Sequence, residues 1–76
     1  MPLAMLRVGE TACIKKIVGG RTAKGKLTDL GFVSGKMVKI HSSTGGPLIV
    51  GIGDNRIALG HGMAHKVIVD PKGCEN

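Results

Sequence analysis

Apolar and polar residues alternate along much of the chain, which is the pattern of half-buried β-strands. In the first such segment, after the Gly9-Glu10 turn, Ala12, Ile14 and then Ile17 face one side, while Thr11, Cys13 and Lys15 face the other. Four further apolar segments follow between turn residues, at positions 38–40, 48–52, 57–59 and 67–69. The pattern therefore predicts about five short strands.

Residues 22–30 break this alternation and carry the spacing of a helix. Three apolar residues lie four and three positions apart, as on one helical face: Ala23, Leu27 and Leu30. Thr22 is a suitable N-cap, and Gly31 can adopt the left-handed conformation that closes a helix. Gly25 inside the segment costs about 1 kcal/mol relative to alanine. We expect a short helix, held by packing, inserted after the first strand.

The predicted elements fit one small domain. A chain of 76 residues has room for a single core. About five strands with one short helix after the first are typical of a mainly β, SH3-like barrel, which leaves little exposed sheet edge. We expect one SH3-type domain over residues 1–76, ordered from about residue 6 to residue 70. Residues 71–76 are polar, and we predict that they form a disordered tail.

The net charge of the chain excludes few classes of binding partner. Eleven Lys and Arg against five Asp and Glu give a formal net charge of +6, which favours nucleic acid, anionic lipid or an acidic protein surface. The basic residues are scattered, as on a solvated surface. Phe32 is the single aromatic residue, so no side chain is left to stack on bases. A nucleic-acid-binding barrel of ribosomal type is therefore the less supported alternative.

The two cysteines, Cys13 and Cys74, could form one disulfide bridge. No signal peptide indicates an oxidising compartment, so we expect reduced thiols. Strand alternation places Cys13 on the outward side, where it would be a free thiol. No apolar run approaches the roughly 18 residues that cross a bilayer. We therefore expect a cytoplasmic protein.

No combination of residues along the chain indicates catalysis or nucleotide binding. The five acidic residues each fit a turn, a helix end or the tail: they are Glu10, Asp29, Asp54, Asp70 and Glu75. Gly19-Gly20-Arg21 lacks the lysine and hydroxyl residue that end a phosphate-binding loop. We predict a binding protein rather than an enzyme.

One segment joins the end of the predicted helix to the next turn: Leu27-Thr28-Asp29-Leu30-Gly31-Phe32-Val33-Ser34-Gly35. Its two leucines are predicted to bury the helix, and Gly31 to turn the chain. Gly45-Gly46-Pro47, Ile57-Ala58-Leu59 and Ala64 before the last strand follow in order. Together these motifs, over about residues 6–70, resemble the FeoA-type proteins of bacterial ferrous iron uptake. The same fold is similar to the C-terminal SH3-like domain of iron-dependent repressors.

The resemblance implies a small cytoplasmic accessory protein of ferrous iron uptake. Such a protein works beside a FeoB-type membrane iron transporter, by contact with the GTP-binding domain of that transporter, and so lies at the inner face of the membrane. Two positions depart from the usual family pattern. The helix more often carries a longer side chain at Gly25, and charged residues are common at His61-Gly62-Met63.

One cluster has the residue types of a metal site: His61, Met63 and His65. If this segment forms one helical turn, the two histidines share a face and could bind Fe²⁺ or Zn²⁺. Against this, Gly60 and Gly62 loosen such a turn, no carboxylate or thiolate lies nearby in sequence, and methionine is a weak ligand for ferrous iron. Surface histidines beside a core-filling Met63 are the simpler interpretation, and a metal-sensing domain is a further alternative.

The preferred partner-binding surface is the predicted helix with its flanks. Arg21, Lys24 and Lys26 could meet an acidic partner around an apolar seam of Leu27 and Leu30. The plainer alternative is that these residues only solvate and cap the barrel.

Overall fold

The computed structural model describes residues 1–74. Within them the elements follow in the order β1 (Thr11–Ile17), α1 (Arg21–Asp29), β2 (Met37–Ser42), β3 (Leu48–Ile52), β4 (Asn55–Leu59), α2 (His61–Ala64) and β5 (Val67–Asp70). A short 3-10 turn, Leu3–Met5, precedes β1. The predicted mainly β class, with a helix inserted after the first strand, is confirmed.

All five strands form one antiparallel sheet in the order β4-β3-β2-β1-β5. The register shifts between Ile14 and Lys16 in β1, and between Ile40 and Ser42 in β2. Such bulges bend a strand and increase its twist. Every strand contributes buried residues to a single core cluster, because the bent sheet curls around it. This is the small barrel that the alternation predicts.

The start of α1 differs from the prediction. The helix begins at Arg21 with Gly20 in the N-cap position, and no side chain caps it. Thr22 lies inside the first turn, so the prediction that it caps the helix is wrong. Without that capping bond the helix depends on packing, which Leu27 supplies as its one fully buried side chain.

The end of α1 follows the Schellman pattern. The N–H of Gly31 donates to the carbonyl of Thr28, and the N–H of Phe32 donates to the carbonyl of Leu27, both at 2.9 Å. Gly31 has φ = 101°, a conformation that side-chain-bearing residues rarely adopt. Leu27 is completely buried, whereas Leu30 is 44% exposed. The prediction that both leucines bury the helix is therefore wrong for Leu30, the C-cap residue.

The residues before β1 belong to the fold, although order was expected only from about residue 6. Leu3 is completely buried in the core. Pro2 forms a bridge with Ile68 of β5. The backbone of Met1 exchanges hydrogen bonds of 2.7 and 2.9 Å with that of Val69. The first residues thus cover β5 and close one end of the core.

The C-terminal segment is also held against the barrel. The side chain of Asp70 accepts a 2.9 Å hydrogen bond from the Lys72 N–H, and its carbonyl accepts one of 3.1 Å from the Gly73 N–H. This turn carries Cys74 back to β1. The first residues of the predicted disordered tail, 71–74, thus form this turn, and residues 75–76 lie outside the described part of the chain.

Cys74 is bonded to Cys13 in a disulfide, with Cα atoms 5.1 Å apart. The expectation of reduced thiols, with Cys13 free, is therefore wrong for this structure. Cys13 is buried but lies outside the core cluster, so alternation placed its side chain on the correct side of the sheet. The prediction failed because the C-terminal turn covers that side.

Candidate partner-binding groove

The geometry of α1 splits the predicted partner-binding surface. Leu27 is completely buried, so its side chain is not part of the surface that a partner could touch in this conformation. Helical periodicity places Arg21 and Lys24 on one side of Leu27, and Lys26 and Leu30 on the other. These four residues are exposed. They form two separate strips rather than one surface.

Lys24 faces an open groove between α1 and β1, with a volume of about 380 Å³. The polar part of its lining is Lys15, Lys16, Lys24, Thr28 and Ser34, and the apolar part is Ile17, Phe32 and Val33. Phe32 is completely buried, and Ile17 and Val33 are half-buried, so these three form the floor. We call this feature the basic groove.

The bulge in β1 creates the lysine rim of the basic groove. In a regular strand, Lys15 and Lys16 would point to opposite faces. The register shift between Ile14 and Lys16 breaks that alternation, and both lysines are exposed. Sequence reasoning counted them among scattered charges. The adjacent pair was the available signal, but a bulge cannot be read from residue types alone.

The floor of the basic groove is set by the helix end. The Schellman turn directs Phe32 into the core directly after α1. Among the described residues, three lysines and no carboxylate line the groove. A cationic rim over an apolar floor suits an acidic protein segment that also presents an apolar side chain.

A second depression, of about 290 Å³, lies on the outer face of the sheet and is lined in part by Lys39, His41 and Gly51. The pKa of His41 is lowered from 6.5, first by loss of solvation and then by the positive charges of Arg56 and Lys39. A Cβ at Gly51 would lie 2.5 Å from His41 Nε2. The missing side chain at Gly51 therefore leaves space for the imidazole.

The predicted histidine pair does lie on one helical turn. α2 spans His61–Ala64, and the His65 N–H donates a 3.0 Å hydrogen bond to the His61 carbonyl. The Nε2–H of His61 donates to the Gly46 carbonyl at 3.0 Å, so that nitrogen is already used. Met63 packs against the core, as predicted.

This pair does not make a complete metal centre. A structural zinc site takes four ligands, and a catalytic one takes three from the protein. No group of three or more His, Cys, Asp or Glu suitable for a metal occurs within residues 1–74. His61 and His65 could supply two ligands at most, and the residues present do not fit a bound Fe²⁺ or Zn²⁺.

One curled antiparallel sheet around a single core, with an inserted helix and an open groove beside it, defines a small SH3-like barrel. The model of the FeoA domain matches residues 1–71. The chain belongs to the FeoA family. The resemblance drawn from the sequence motifs is thus confirmed.

Individual relatives agree with this assignment. A Methanocaldococcus jannaschii protein provisionally named Fe(2+) transport protein A is 35% identical over 69 residues, covering 91% of this chain and 84% of that protein. The crystal structure of Stenotrophomonas maltophilia FeoA, an SH3 domain protein complexed with zinc, has a TM-score of 0.85 and 29% identity, covering 96% of this chain and 93% of the other.

The predicted similarity to iron-dependent repressors is confirmed for the fold. The crystal structure of IdeR from T. acidophilum superposes with a TM-score of 0.82 and 22% identity. The match covers 92% of this chain but 33% of IdeR. One part of that longer protein therefore shares the barrel.

Proposed function

We propose that this chain is an accessory protein of ferrous iron uptake that contacts the cytosolic GTP-binding domain of a FeoB-type membrane transporter. Its family membership and its relative named for Fe(2+) transport support the iron connection. The observation that carries the contact is the basic groove, in which three lysines surround an apolar floor. The proposed role is regulatory contact, with no reaction at this chain.

The chemistry of the groove defines the partner segment. Lys15, Lys16 and Lys24 would attract an acidic surface and orient it during approach. An apolar side chain of the partner would then displace water from the floor formed by Ile17 and Val33 over Phe32. We therefore expect an acidic segment with one apolar anchor, bound more weakly as salt rises because exposed charges are screened.

The proposed place of action is the inner face of the membrane, reached through the partner. No helix within residues 1–74 is long and apolar enough to span a bilayer. The iron is cargo of the transporter in this account. The chain acts on the transporter domain rather than on the ion.

The test is an NMR titration of the labelled chain with the isolated GTP-binding domain, with and without nucleotide. We expect the largest amide shifts at Lys15, Lys16, Lys24 and Thr28. The same titration is then run with the full-length transporter. Unchanged spectra in both experiments would contradict the proposal.

A nucleic-acid titration separates this function from the alternative that the net charge allows. The chain is mixed with RNA and with DNA at about 50 mM salt, where charge-driven binding is strong and falls steeply as salt is added. We expect no retention. Tight, salt-sensitive binding to nucleic acid, together with unchanged spectra in the titrations with the transporter, would favour the ribosomal type of barrel.

A further inference from the structure

Three sulfur atoms from separate parts of the chain meet on the outer face of the sheet. Cys13 of β1 and Met37 of β2 are directly paired across the two strands. The C-terminal turn brings Cys74 to the same place, where it is bonded to Cys13. The Cys74 Sγ lies 3.7 Å from the Met37 Sδ. We call these three residues the sulfur cluster.

The sulfur cluster has one buried member and two members that solvent can reach. Cys13 is buried, whereas Cys74 is exposed and Met37 is 45% exposed. None of the three belongs to the hydrophobic core cluster, so packing of the core does not explain their meeting. A reductant or a metal ion can therefore reach Cys74 and Met37 from solvent.

Reduction converts the bridge into a pair of thiols. The disulfide takes two electrons and two protons from a dithiol reductant, which itself becomes a disulfide. The sulfur–sulfur bond breaks and two Cys thiols form. The paired strands and the Asp70–Gly73 hydrogen bond do not depend on that bond, so the chain still holds the two thiols near each other.

Two thiols and a thioether are soft ligands, and soft ligands of this kind select Cu(I). Sulfur ligands lie about 2.3 Å from a bound metal ion such as zinc, so two of them around one ion stand roughly 3.8 Å apart in tetrahedral geometry and about 4.0 Å apart around a three-coordinate ion. In the disulfide form Cys74 Sγ and Met37 Sδ are 3.7 Å apart, which is close to this spacing. Met37 can therefore serve as a third ligand once the bridge is reduced.

The ligands at this place suit harder ions less well than Cu(I). Zn²⁺ and Fe²⁺ sites normally add imidazole or carboxylate ligands. Asp70 pairs with Cys13 across β1 and β5, yet no group of three His, Cys, Asp or Glu suitable for a metal exists within residues 1–74. The Gly35 carbonyl oxygen lies 3.3 Å from Cys74 Sγ, and the side-chain donors that meet at this place are the three sulfur atoms.

We propose that the reduced chain binds one Cu(I) ion through Cys13, Cys74 and Met37. Binding displaces the protons of the two thiols, so two protons are released for each ion bound. The disulfide form lacks the thiolates and cannot bind, so oxidation and metal occupancy exclude each other. The proposal does not depend on the contact with a transporter.

The test is a competition between the full chain and a coloured Cu(I) chelator, bicinchoninate, without oxygen. The chain is reduced with a phosphine, freed of it, and added to the Cu(I)–chelator complex. We expect loss of colour equivalent to one Cu(I) per chain. The disulfide form should leave the colour unchanged.

Variants locate the ion. Cys74→Ser should lower the affinity for Cu(I) more than about a hundredfold, because loss of even an outer group near a metal costs about 10- to 100-fold. Met37→Leu should weaken it about tenfold or more. Met5→Leu is the matched control, since Met5 is 62% exposed and lies outside the sulfur cluster, and it should bind like the wild type. Amide NMR spectra confirm that each variant is folded.

Several results would overturn the proposal. They are no transfer of Cu(I), wild-type affinity in Cys74→Ser or Met37→Leu, one ion per two chains, or Zn²⁺ bound more tightly than Cu(I). Because Cys13 is buried, the Cys13→Ser variant could fail to fold. The test therefore relies on Cys74→Ser, at an exposed position.

Discussion

The backbone N–H of Phe32 donates a 2.9 Å hydrogen bond to the carbonyl of Leu27, and both side chains are completely buried. This bond closes α1 and directs the chain into the core in one step. It also places Phe32 under the basic groove. The Leu27-to-Gly35 motif therefore has a physical meaning, since it fixes the helix on the barrel and builds the floor of the candidate site.

Two glycines near this turn should respond oppositely to alanine. Gly31→Ala forces a side chain onto φ = 101° and should lower the free energy of unfolding by about 1 to 3 kcal/mol. Gly25→Ala meets no atom within 4 Å and should raise it by about 0.5 to 1 kcal/mol. Urea unfolding at constant m-value measures both. Changes of the same sign would refute this account of the helix end.

The N-terminal segment should contribute to global stability. Leu3→Ala removes a completely buried side chain and should destabilise the fold by about 2 to 5 kcal/mol. Met5→Ala, at a position that is 62% exposed, should change stability by less than about 0.5 kcal/mol. Thermal and urea unfolding of the two variants compare them directly. Equal stability of Leu3→Ala and the wild type would show that residues 1–5 lie outside the cooperative fold.

His41 should make stability depend on pH. Its pKa is lowered from 6.5 in the folded chain, by loss of solvation and then by Arg56 and Lys39, so the unfolded chain binds the proton more readily. Stability should be highest above pH 6.5 and fall as the pH drops through the lowered pKa.

An NMR titration of the His41 ring checks this effect. Arg56→Gln removes the larger of the two charge effects and should raise the pKa of His41. Arg7→Gln is the control, because Arg7 is not among the causes of the shift. An unmoved titration midpoint in Arg56→Gln would be inconsistent with the assigned cause.

The strands and their turns could be predicted because their signals are local. β3 and β4 show this clearly, since Leu48, Val50 and Ile52 alternate inward and Ile52 pairs with Asn55 across Gly53-Asp54. Burial of alternate residues and a glycine turn determine such a hairpin without help from distant residues.

The features that were missed depend on contacts between distant residues. Leu3 is buried only because the chain start reaches β5. Cys13 is covered only because the C-terminal turn returns to β1. A bulge exposes Lys15 and Lys16 together. Lys24 can be predicted as a basic residue on the helix, but the rest of the basic groove depends on the tertiary arrangement.

The basic groove also makes a quantitative prediction for binding. The double variant Lys15→Glu/Lys24→Glu reverses two rim charges and should weaken binding to an acidic partner at least about tenfold, mainly through slower association. The single variant Lys26→Glu reverses a charge on the other strip of α1. Comparing it with the double variant shows which of the two strips contacts the partner. Surface plasmon resonance with the GTP-binding domain at two salt concentrations measures both. Stronger weakening by Lys26→Glu would place the contact on the opposite strip.

Ferrous iron uptake tests the central claim most directly. Cells that lack this gene but keep the transporter are supplied with the wild-type chain, with Lys15→Glu/Lys24→Glu, or with the control Lys72→Glu, which is exposed in the C-terminal turn. We expect deletion to change the initial rate of uptake, the wild type and Lys72→Glu to restore it, and the double variant to fail although it is folded and present. An unchanged rate after deletion, or full restoration by the double variant, would contradict the account.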